Sequence, residues 1–370
     1  MCEQPSVPTA LRYRRTLGRR VDFVVTWLDS LSITSFGWII FAVAAIRAGI
    51  SFAPNFDMRQ ASELRDMGWD VALGNVWVVI LKTFGITERV QYEALAFAIL
   101  VLFVALTIGV VRRLQPRYAK FLFVLVFLGP MGTVMMGFGR HDVFLIFGAI
   151  LFVAGGPRRP ASLLLGAALI VAGNRMQSLV MAVAVLALAA LPEFRRWAKP
   201  GALLGSFSVL AVLGEEFLAD QSGRATQSSQ FTGLIGQSLE SFVLTAPLLI
   251  YAMFGVAWLI VAATVLSLPL LRSLVVLLAL VVLPLVAMAT TLDGTRVAVG
   301  VSAVPLLICT LWVFQRMSQG LREDQTPRVL ALWVGVALLT PALSVGAGNV
   351  GTPWYYVWFS INFWTDVLQA

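Results

Sequence analysis

Four polar patches interrupt an otherwise apolar chain: Asp57 to Asp70, Gly139-Arg140-His141-Asp142, Asn174-Arg175-Met176-Gln177, and Asp293-Gly294-Thr295-Arg296. Three of them place an arginine (Arg140, Arg175, Arg296) in a short turn at the mouth of an apolar run. Guanidinium groups grip phosphate oxygens through two parallel N–H bonds and stay charged when partly buried. Three such groups at one surface would suit a lipid-linked phosphate or pyrophosphate. Asp57, in Pro54-Asn55-Phe56-Asp57, is a carboxylate able to take a proton from an acceptor hydroxyl. His141, the only histidine, together with Asp142, Gln177 and Asp293, supplies polar groups that would orient a sugar or an arginine. Each also has a plainer reading. Asp57 would cap the helix after it, Arg140 would pair with Asp142, Asp293 with Arg296, and any of the arginines would anchor lipid head groups. Glu63, Asp66 and Asp70 read as a solvated face, as do Glu215, Glu216 and Asp220.

The elements that must hold these residues are set by composition. The chain is 59% hydrophobic and 12% charged, and a run of roughly 20 apolar residues crosses a bilayer core of about 30 Å. This predicts an all-α polytopic membrane protein with about 11 transmembrane helices, at 30–50, 91–111, 120–138, 143–156, 161–173, 178–192, 201–215, 241–267, 274–289, 297–315 and 329–346. Residues 1–370 then form a single integral membrane domain, with a basic segment at 1–29 and an outer aromatic tail at 347–370. The outer loop at 51–90 carries interfacial helices, because Arg59, Glu63, Asp66 and Asp70 recur at helical spacing. Cys2 and Cys309 make neither a disulfide framework nor a metal site. The first apolar stretch lacks a small-residue cleavage site and reads as a retained span.

The net charge of +8 would suggest nucleic acid for a soluble chain. Here it is explained by loop retention, so no nucleic-acid partner is expected. Lys and Arg collect in cytoplasmic loops, and most of the 27 fall in alternate connections: Arg12 to Arg20, Arg112 to Lys120, Arg158 with Arg159, Arg195 to Lys199, Arg272, and Arg316 to Arg328. That places the N-terminus in the cytoplasm and all four polar patches on the opposite face.

The pattern resembles the GT-C superfamily of membrane glycosyltransferases. The resemblance covers roughly residues 30–200 and rests on three features. An acidic residue, Asp57, follows the first span in a loop of interfacial helices. A Gly-Arg-His-Asp turn leads directly into Val143-Phe144-Leu145-Ile146-Phe147. A Gly-Gly-Pro-Arg-Arg-Pro connection at 155–160 then precedes a small-residue helix ending in a polar turn. The resemblance implies a polyprenyl-phosphate-linked sugar as donor, Asp57 as catalytic base, and Arg140, His141 and Asp142 as polar residues of the second turn. Members often carry two adjacent acids in the first loop, whereas Asp57 stands between Phe56 and Met58. The arrangement also looks like the polysaccharide polymerases and ligases of bacterial envelopes, which rely on outer-face arginines.

The expected activity is transfer of a sugar from a polyprenyl-phosphate donor to an envelope glycan or lipid acceptor, on the periplasmic face of a bacterial inner membrane. No cofactor is expected, and no metal is demanded, since guanidinium groups can supply the positive charge. Arg140, Arg175 and Arg296 would hold the phosphate, with His141, Asp142, Gln177 and Asp293 beside them. Two alternatives stand next to it. One is an O-antigen polymerase or ligase using an undecaprenyl-pyrophosphate-linked oligosaccharide. The other is a transporter or flippase for a lipid-linked sugar, which would need polar groups near the midplane. Span centres here are almost uncharged.

Overall fold

The computed structural model describes residues 22–50, 76–86, 88–138, 142–222, 227–289, 291, 294–320, 325–346 and 349–351. The helices are α1 (Asp22–Ser30), α2 (Ile33–Ala48), α3 (Val76–Thr83), α4 (Arg89–Leu114), α5 (Pro116–Leu128), α6 (Pro130–Phe138), α7 (Asp142–Gly155) and α8 (Pro160–Gly173). They continue as α9 (Arg175–Ala189), α10 (Ala198–Ser222), α11 (Gln227–Phe254), α12 (Trp258–Leu266), α13 (Leu270–Ala289), α14 (Gly294–Gly320) and α15 (Thr326–Leu339). One antiparallel hairpin follows, pairing Ser344 with Gly351 and Gly346 with Asn349.

All eleven predicted apolar runs are helical in whole or in part, but they do not make eleven crossings. Among the described residues five helices are long and apolar enough to span, within Val90–Leu114, Pro192–Phe217, Thr245–Leu266, Leu270–Ala289 and Gly294–Gly320. Two bent pairs, α1–α2 at 117° and α5–α6 at 54°, raise the count to seven at most. The other four runs form α7, α8, α9 and α15, of 14 or 15 residues each. At 1.5 Å per residue such a helix reaches about 22 Å, short of a hydrocarbon core of about 30 Å. Apolarity alone marked them as spans; length decides otherwise. The last predicted run, 329–346, stops as helix at Leu339 and gives way to the first strand of the hairpin. A regular alternation of sides over eleven spans is therefore not the architecture.

What the short helices do instead is fill the centre. Every residue of α7 is buried, and nearly all of the apolar stretch of α14 is buried too. A short, wholly apolar helix is stable there because its neighbours, not lipid, cover its surface. Phe103 of α4 closes on Phe144 and Phe147 of α7, with ring centroids 5.0 and 4.9 Å apart. On another side α8 packs so closely that a Cβ on Gly148 would lie 2.8 Å from the Gly166 carbonyl oxygen. Small residues let helix backbones meet in this way.

Local signals set the boundaries. Ser32 caps α2, its hydroxyl accepting from the Ser35 amide at 3.0 Å. The α5–α6 bend follows a π turn at Val124–Leu128, and Pro130, which has no N–H to give, opens α6. Side chains at Gly129 or Gly132 would collide with the Leu125 or Phe127 carbonyl, so the bend requires glycine at both. Arg47, near the end of α2, donates to the carbonyls of Leu128 at 3.3 Å and Ala337 at 2.8 Å. It thereby serves orphan acceptors at two helix ends, where a cation is also favoured by the dipole.

The first interfacial helix predicted for the 51–90 loop, and the aromatic tail from 352 onward, lie outside the described residues. Where the second was predicted, the chain forms the short helix α3, whose buried Trp77 meets Tyr92 of α4 edge to face at 5.8 Å.

Candidate functional site

Three helices begin at one end of the bundle: α7 at Asp142, α9 at Arg175 and α14 at Gly294. Two observations show that these ends converge. Arg296, in the first turn of α14, donates from Nε to Oδ1 of Asp142 at 2.8 Å. One turn deeper, Gln177 of α9 presses its Oε1 against Gly300 of α14, close beside Leu145 of α7.

The Arg296–Asp142 pair is closed to solvent, with side chains 9% and 3% exposed. Its polarity follows from helix electrostatics. A carboxylate at the first residue of α7 sits where the helix end is positive, whereas a guanidinium in the first turn of α14 sits where it is unwelcome. The carboxylate answers both. The sequence offered Arg140 as a partner for Asp142 and Asp293 as a partner for Arg296, and both of those partners lie outside the described residues; the fold joins Asp142 to Arg296, 154 residues away.

Arg175 opens α9, whose N-cap is Asn174: the Asn174 Oδ1 accepts from the Gln177 amide at 2.9 Å. Ser178 returns its hydroxyl to the Arg175 carbonyl at 2.6 Å. The Arg175 Nε donates to Oε2 of Glu215 on α10. Glu215 was expected to be solvated with Glu216 and Asp220; it is half-buried and paired, while Glu216 and Asp220 are exposed. Forty residues of separation gave no sequence signal for this pairing.

Gln177 is buried, and its Oε1 finds no hydrogen-bond partner in the described residues. An unpaired buried carbonyl of this kind costs about 1–3 kcal/mol unless something donates to it. Gly300, a residue the sequence did not single out, makes the approach possible, since a Cβ there would collide with the Gln177 amide. Gly300→Ala is therefore expected to displace Gln177 with little loss of stability, because the obstructing atom is the tip of a flexible side chain. In any assay of ligand binding at this site, Gly300→Ala should then match Gln177→Ala. A measurable difference between the two would show that Gln177 has other room.

Of the remaining predicted site residues, Asp57, Arg140, His141 and Asp293 lie outside the described residues. Of the three arginines expected to crowd together, Arg175 and Arg296 do share one end of the bundle, each engaged by a carboxylate. No group of three His, Cys, Asp or Glu side chains able to hold a metal ion occurs among the described residues.

Fold and site together define a membrane-associated helical protein with two charged pairs at one end of its core, one sealed and one partly exposed. No protein-family model, curated protein or solved structure matches the chain.

Proposed function

We propose that this chain is a GT-C-type membrane glycosyltransferase, moving a sugar from a polyprenyl-phosphate donor to an envelope glycan or lipid acceptor. The reading places it in a bacterial inner membrane, with the N-terminus in the cytoplasm and the site on the periplasmic face. The observation that carries it is the convergence of the α7, α9 and α14 N-termini with Arg175 and Arg296 among them. Helix N-termini present unsatisfied N–H groups and positive potential, which favours a phosphate. Beside them, α10 exposes Leu210, Leu213 and Phe217, an apolar face on which a prenyl chain can lie.

In the proposed step the acceptor oxygen bonds to the anomeric carbon while the bond from that carbon to the phosphate oxygen breaks. The electron pair leaves with the phosphate, and the hydroxyl proton passes to Asp57. Arg175 and Arg140 would hold the departing phosphate. Arg296, already neutralised by Asp142, would act on geometry rather than as a phosphate ligand. Asp142, His141, Gln177 and Asp293 would face the sugar or keep the arginines in place.

The test compares Asp57→Asn with Arg175→Ala in membrane vesicles, given a polyprenyl-phosphate sugar and a mixed envelope acceptor fraction. General-base removal should lower turnover by about 10²–10⁴, with donor binding retained. Unaltered turnover in Asp57→Asn would take that residue out of the mechanism. Greater dependence on the arginines, with activity only on pyrophosphate-linked oligosaccharide, would favour the polymerase or ligase reading. Translocation of donor without transfer would replace both with a carrier.

A further inference from the structure

The two ion pairs at the site are built differently, and the difference assigns them different work. Arg296 and Asp142 are sealed, at 9% and 3% exposure; Arg175 and Glu215 are more open, at 20% and 16%. The sealed pair joins the two innermost helices, α7 and α14. The open pair joins α9 to α10, and α10 is an outer helix with large apolar side chains facing away from the core.

We infer that Arg175 and Glu215 form an exchangeable pair, in which the phosphate of a lipid phosphate takes the place of the Glu215 carboxylate on the Arg175 guanidinium. This rests on the proposed function and adds a ligand class and a resident competitor to it. Three features argue for exchange at this pair and not the other. A carboxylate that is partly exposed can be rehydrated when displaced, whereas Asp142, if displaced, would be left charged in the core. Arg175 is the first residue of α9, so an anion bound there gains from the helix end as well as from the guanidinium. Glu215 is followed on α10 by exposed Glu216 and Asp220, so the released carboxylate joins a solvated acidic stretch rather than an apolar surface.

Exchange has a sign that ordinary structural pairing lacks. Removing the competitor must tighten anion binding, even though it deletes a polar contact of the free protein. The probe is farnesyl phosphate, with uncharged farnesol as the control, titrated into the full-length protein in nanodiscs. Wild type should bind farnesyl phosphate in preference to farnesol. Glu215→Gln should bind it about two- to fivefold more tightly, the fold-change expected from a partly exposed ion pair. Arg175→Gln should lose the preference. Glu215→Ser, a second neutral replacement, serves if the Gln variant does not fold. Farnesyl phosphate bound by wild type with unchanged or weaker binding by the neutral variants overturns the exchange and leaves the proposed function standing. Retained preference in Arg175→Gln likewise overturns it. Farnesyl phosphate bound no better than farnesol by every form overturns both readings.

Discussion

Asp142→Ala is expected to lower the stability of the bundle by about 3–5 kcal/mol, the range seen when one partner of a buried ion pair is removed. Arg296 is only 8% exposed, and its Nε donates to Asp142 Oδ1 at 2.8 Å. With the carboxylate gone, a guanidinium remains in the first turn of a helix, where the dipole already disfavours it. It would be walled in by α7, α9 and α14. The measurement is the thermal midpoint of the purified protein in detergent, followed by tryptophan fluorescence. Asp142→Asn keeps an acceptor oxygen and should fall between wild type and alanine. The double variant Asp142→Leu with Arg296→Leu should recover most of the loss, because exchanging a buried pair for packed apolar groups is often neutral or stabilising. A single alanine variant as stable as wild type would show that the pair opens to water and bears no structural charge. The double variant also separates stability from function: restored folding without restored ligand binding would assign the pair a role in the site itself.

That pair illustrates where the sequence was legible and where it was not. Helicity was legible over most of the apolar runs, because long apolar stretches bounded by Pro, Gly and Arg leave few other ways to satisfy backbone groups in hydrocarbon, though the run predicted at 329–346 is helical only to Leu339. Crossing number was not, since the residues of α7, α8, α9 and α15 are as apolar as those of α4. Only their length, 14 or 15 residues against 26, separates a buried helix from a spanning one. At the site, the type of residue was legible: Asp142, Arg175, Gln177 and Arg296 all stand at helix starts at one end of the bundle. Their partners were not. A turn draws attention to neighbours in the chain, whereas long-range pairing in a bundle is decided by which helices lie side by side. Asp142 reaches across to α14, and Arg175 to Glu215, because α7 packs on α14 and α9 on α10. Gly300 was invisible for the same reason: nothing in its own surroundings in the chain shows that Gln177 leans on it.

Gly148→Val should destabilise the centre of the bundle, with a loss of about 1–3 kcal/mol. Here α7 and α8 touch backbone to backbone. A Cβ at 148 would lie 2.8 Å from both the Gly166 oxygen and the Ile170 nitrogen, and a Cβ at 166 would lie 2.7 Å from the Phe152 nitrogen. Neither neighbour is a side-chain tip that can swing aside, so the two helices must part. Parting them has a consequence at a distance. The shift that relieves position 148 displaces a helix whose first residue is Asp142, and Asp142 has to meet Arg296 to within a hydrogen bond. The substitution should therefore weaken the ion pair as well as the α7–α8 contact. Coupling between the sites follows: Asp142→Ala should cost less in a Gly148→Val background than in wild type, by an amount a double-mutant cycle resolves. Strict additivity of the two losses would mean that α7 yields locally around position 148 and holds its N-terminus in place. In that case the end of the bundle where α7, α9 and α14 converge owes its geometry to α14 and not to the packing of α7 on α8.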